Sequence, residues 1–182
     1  GFVLVGEDLS APLFALHLYL VVRAARVRTT SAMILAAAAW IAALSTWHAP
    51  TFFAAIEAVL VFAWFVRTRE NPFAAGRAWS FAACALLLAF AVPFLRGTRF
   101  AGSLPMALVL GLAAAGIVGA RRPIGRATGL GIALATAAGL LALSLGASWI
   151  LGGGQAEYSH VWRLFAAKLA HPGRQVVLLL GD

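Results

Sequence analysis

Apolar residues along this chain come in long unbroken runs separated by short clusters of arginine, and they do not alternate with polar ones. Six runs approach the roughly 20 residues that an α-helix needs to cross about 30 Å of hydrocarbon. They lie near residues 10–25, 30–47, 51–66, 78–95, 104–120 and 129–151. Backbone polar groups left unpaired in lipid are so costly that only helices and closed barrels span it, and no ten-residue alternating pattern points to a barrel. The pattern therefore predicts an all-α, polytopic integral membrane protein with about six transmembrane helices. Ser10 is placed to cap the first helix, with Pro12 in its first turn. Pro93 falls near the end of the fourth run.

After the sixth run the pattern changes. Gly152, Gly153 and Gly154 interrupt it, and Tyr158, Val161, Trp162, Phe165 and Leu169 then recur at helical spacing. Pro172 and Gly173 stop the segment. This predicts one interfacial amphipathic helix, its aromatic side in the lipid boundary and Arg163 and Lys168 at head-group level. Residues 1–151 thus read as a transmembrane bundle. Residues 152–182 read as an outward-facing interfacial helix and the start of a further segment. Neither Gly1 nor Asp182 reads as a natural terminus, so a fragment of a longer polytopic protein is expected.

Composition agrees with lipid as the solvent. Of the 182 residues 63% are hydrophobic and 11% charged, where a soluble domain carries about a quarter charged and just under half apolar. The net charge of +8 comes from 14 Lys+Arg against 6 Asp+Glu. These cations sit in short loops and not on a solvated basic face, which excludes nucleic acid as a partner and makes membrane lipids the expected one. Arg23, Arg26 and Arg28 follow the first run, Arg67, Arg69 and Arg77 the third, and Arg121, Arg122 and Arg126 the fifth. The intervening connections hold only Arg96 and Arg99. The positive-inside rule then makes the Arg-rich loops cytoplasmic and puts residues 1–9 and 152–174 outside. Trp47, Trp64, Trp79 and Trp149 fall near helix ends, as an aromatic belt requires, and Trp40 is deep enough to pack inside. Two stripes of small residues, Gly111, Ala115 and Gly119, then Gly131, Ala135 and Gly139, are candidate packing seams.

Few residues carry candidate chemistry. Cys84 is the lone cysteine, so a disulfide within the chain and a cysteine metal cluster are excluded. No phosphate-binding glycine loop, zinc motif or Ser-His-Asp spacing is present. Glu57 lies about two turns into the third run, where an ionisable group costs at least about 2.5 kcal/mol and calls for a partner or a water-filled cavity. His17 is at comparable depth in the first run and able to pair with it. Glu7 and Asp8 form an acidic pair ahead of the first run, favoured there by the helix dipole and able to take an acid/base or divalent-cation role. Glu7, Asp8 and Glu57 are the candidate catalytic groups; no metal ligand set is predicted. His48 and His171, each close to a proline, read as turn residues.

The stretch Glu157-Tyr158-Ser159-His160-Val161, followed by Arg163 and Lys168, together with many spans and short Arg-rich loops, resembles bacterial membrane glycosyltransferases of the oligosaccharyltransferase and protein mannosyltransferase type. That resemblance implies a polyprenyl-phosphate-linked sugar as donor, transfer on the outer face, and Glu157, His160 and Arg163 near the donor. The class's acidic catalytic motif sits in an early outer loop whose spacing Glu7-Asp8 does not match, so no catalytic residue follows from the resemblance. Two other readings stay open: a secondary transporter or flippase with an intramembrane Glu57/His17 site, and a non-catalytic membrane subunit. The transporter reading expects helices broken at mid-membrane.

Overall fold

A computed structural model describes residues 6–27, 29–46, 49–68, 70–71, 79–121 and 125–150. The described residues form seven α-helices and one 3-10 turn, with no strand. The helices are α1 (Gly6–Val27), α2 (Thr30–Leu44), α3 (Ala49–Thr68), α4 (Trp79–Ala91), α5 (Pro93–Gly97), α6 (Leu104–Arg121) and α7 (Arg126–Ile150). The chain divides into two units, residues 1–144 and 145–182. The first contains the bundle described below. Of the second, only the end of α7, residues 145–150, is described.

Four segments are long and apolar enough to cross a membrane: Leu9–Val27, Pro50–Thr68, Leu104–Arg121 and Ala127–Ala147. The second and fourth predicted spans are shorter than expected. α2 has 15 residues and α4 has 13, about 22 and 20 Å at 1.5 Å per residue. Polar groups fix both ends of α2. The Thr29 hydroxyl accepts a hydrogen bond from the Ala32 amide, and the Ser45 and Thr46 hydroxyls donate back to the Ile41 and Ala43 carbonyls.

Two further expectations are corrected. Ser10 is not a helix cap: α1 starts at Gly6, leaving Ser10 and Pro12 inside the helix. Pro12 sits only six residues past the start, so it costs a single backbone hydrogen bond near the helix N-terminus. The fourth run is not one helix. α4 stops at Ala91, Val92 takes an extended conformation (φ −80°, ψ 116°), and Pro93 opens α5. A residue before proline is driven out of the helical region. This break lies near the end of the run and not at its middle.

The packing is small inside and large outside. Among the described residues alanine supplies 16 of the 27 buried apolar ones, while Leu87, Leu143, Leu60 and Phe90 are among the large apolar side chains left exposed. That inversion suits lipid, where close helix contact comes from small side chains and exposed aliphatics meet acyl tails. Ala36, Ala37, Ala39, Trp40, Ile41, Ala43 and Leu44 are all buried on α2. α2 is thus enclosed on several sides, packing chiefly on α1 and α4, while α3 packs chiefly on α6. A helix apolar all round is expected in such a central place.

Only one of the two small-residue stripes lies in a seam. Gly111 on α6 approaches α7 so closely that an added Cβ would stand 2.5 Å from the Ala133 carbonyl oxygen. Ala115, one turn on, is buried in the same cluster with Phe65, Leu112 and Ala133. Gly119 is exposed. On α7 the seam is made by Ala133 and Ala137, whereas Gly131, Ala135 and Gly139 face away. The seam runs two residues out of phase with the predicted stripe.

Candidate functional site

A buried polar contact joins α1, α2 and α3. His17 is the twelfth residue of the 22 in α1 and Glu57 the ninth of the 20 in α3. Each is about 12 Å or more from both ends of its helix. The imidazole Nε2 lies 3.0 and 3.1 Å from the two carboxyl oxygens of Glu57. On the other side of the ring, Nδ1 lies 3.0 Å from the Ala36 carbonyl oxygen of α2. His17 is 0% exposed and the Glu57 side chain 22%.

The geometry fixes where protons sit. A carbonyl oxygen only accepts, so Nδ1 must carry a hydrogen. Nε2 and the Glu57 carboxyl then need a proton between them, because two lone pairs at 3.0 Å repel. Either imidazolium meets carboxylate, or neutral imidazole accepts from the carboxylic acid. Both arrangements are neutral overall, the state a low-dielectric interior favours. The contact holds one proton at mid-helix depth.

Aromatic rings enclose the pair. The Phe14, Trp40 and Phe81 ring centroids lie 5.6, 6.0 and 6.1 Å from that of His17. Trp40 also packs on Phe81 and edge-on against Phe100, both at 5.6 Å. α1 and α2 pack side by side as consecutive helices, which brings Ala36 and Trp40 opposite His17. Sequence spacing thus contained the Ala36 and Trp40 contacts, although they were not read from it. Phe81 arrives from α4, and nothing in the spacing announces it.

A partly open cavity of about 150 Å³ adjoins the pair, lined by residues of α1, α2, α3, α4 and α6. Its wall is almost wholly apolar, with Glu57 as its ionisable group and Trp40 and Phe81 as its rings. Trp40 is 2% exposed, and its indole N–H has no hydrogen-bond partner. Elsewhere Asn71 donates from its side-chain amide to the Leu112 carbonyl at 2.9 Å, tying the connection after α3 to α6. That contact was not anticipated either.

Glu7 and Asp8 fall in the first turn of α1. Glu157, His160 and Arg163, with the whole interfacial segment, lie outside the described residues. Among the described residues no three His, Cys, Asp or Glu side chains come together as a metal site. Of the pairs raised by the sequence, His17 with Glu57 is the one brought into contact.

No protein-family model matches this chain, and neither the curated proteins nor the solved structures contain a detectable relative.

Proposed function

We infer that the chain belongs to a membrane carrier, a secondary transporter or flippase, in which the His17–Glu57 pair holds one proton and gives it up as substrate enters the adjoining cavity. The observation that carries this reading is a carboxyl group and an imidazole sharing a proton at mid-helix, beside a cavity large enough for a small molecule. Intramembrane ionisable groups of this kind mark ion and proton pathways. The likeness to lipid-linked-sugar transferases is carried by residues 157–168, and polyprenyl-phosphate binding there stays a sequence expectation. The carrier would lie in a bacterial inner membrane, with the loops after α1, α3 and α6 cytoplasmic by their arginines.

The test is reconstitution of the protein into liposomes with an imposed pH gradient and a panel of small cationic, neutral and anionic solutes. The reading expects at least one solute to accumulate while dissipating the gradient, and Glu57→Gln to remove both effects. If the wild type behaves as Glu57→Gln does across the panel, the carrier reading is wrong.

A further inference from the structure

The cavity beside the pair has a chemistry that selects its occupant, an inference that rests on the carrier reading. An apolar cavity of about 150 Å³ accepts a body the size of benzene. On its wall the Glu57 carboxyl offers a negative partner, and the faces of Trp40 and Phe81 favour a nearby cation. Positive nitrogen and a compact apolar body together define a class.

We propose that this cavity binds a small arylalkyl amine, with its ammonium on Glu57 and its apolar body against Val61, Phe81 and Leu112. Charge is conserved at the site. His17 keeps the Nδ1 hydrogen on the Ala36 carbonyl. The proton shared with Glu57 leaves to solvent as the ammonium arrives, so one cation replaces one proton. His17 is left neutral, and the ammonium takes the place of the lost positive charge beside Glu57. The other described titratable side chains on the enclosing helices are Tyr19, Arg23, Arg26, Arg67, Cys84 and Arg121, and none of them lines the cavity.

The experiment is calorimetric titration of the purified full chain in nanodiscs with 2-amino-1-phenylethanol, at a pH where the amine is protonated. Binding heats in buffers of differing ionisation enthalpy should report release of close to one proton per molecule bound. Deleting the amine, with 1-phenylethanol, should weaken binding by about 10-fold or more, as expected for a charge-assisted contact. Glu57→Gln should abolish proton release. Equal affinity for 1-phenylethanol, or binding without proton release, overturns the proposal and makes the cavity an acyl-chain pocket. If the amine fails while the liposome panel still shows Glu57-dependent exchange with another solute, the ligand class falls and the carrier reading stands. Failure of both removes both.

Discussion

His17 Nε2 faces both carboxyl oxygens of Glu57 at 3.0 and 3.1 Å, while its Nδ1 is held by the Ala36 carbonyl at 3.0 Å. Every polar atom of the ring is therefore satisfied at a place where no solvent reaches it. Removing one partner should cost more than replacing it. Glu57→Ala strands Nε2 and should lower stability by about 1–3 kcal/mol. Glu57→Gln keeps a donor for Nε2 and should stay within about 1 kcal/mol of wild type. Reversible unfolding in mixed micelles measures both, and equal losses would contradict the assigned contact.

Trp40 carries a ring that the core needs and an N–H that it does not satisfy. Trp40→Phe keeps much of the ring and deletes the orphan donor, so unfolding should show a change of about 1 kcal/mol or less. Trp40→Ala empties the space among His17, Phe81 and Phe100 and should cost about 3–5 kcal/mol. The same unfolding assay separates the two. Similar losses in both variants would mean that the indole N–H has a partner.

The α6–α7 contact gives a test internal to one residue type. Gly111→Ala puts a methyl 2.5 Å from the backbone oxygen of Ala133, and backbone cannot yield as a side chain does. A loss of about 1–3 kcal/mol is expected. Nothing lies within 4 Å of the added carbon at Gly139, so Gly139→Ala should be neutral, or stabilising by up to about 1 kcal/mol. Thermal stability of the two variants in detergent checks this, and the reverse order would refute the seam.

The membrane character and most helix limits were legible because they depend on run length and on where arginines stop a run. α6 lies within one residue of its predicted end for that reason. The His17–Glu57 contact was legible because two ionisable groups at similar depth in apolar helices have few ways to be satisfied. The failures have local causes. Ser10 and Pro12 look like a helix start, but four residues upstream also adopt the helix. Pro93 looks like an end, but proline at a first helical position also begins one. The seam on α7 was misplaced because glycine, with no side chain, marks an open face as readily as a close contact. Trp40, Phe81 and Glu57 share a cavity only through the packing of α2, α4 and α3, which no single run encodes.

Arg26, Arg67 and Arg121 each occupy the last turn of their helix, where a cation also complements the carbonyl end. If the positive-inside rule sets the orientation, the three lie on one side and Arg99 on the other. Single cysteines at these positions, in a Cys84→Ala background, should be labelled by an impermeant reagent only at position 99 in intact cells. Labelling at 26, 67 or 121 would reverse or dismantle the topology.

The shared proton is the claim on which the carrier reading rests. Nitrogen-15 NMR of histidine-labelled protein in lipid reports the state of each ring nitrogen, with the His17 signal assigned by its loss in His17→Gln. The account predicts a protonated Nδ1 and an Nε2 hydrogen-bonded to the proton it shares with Glu57. A His17 ring protonated on Nε2 alone would contradict it.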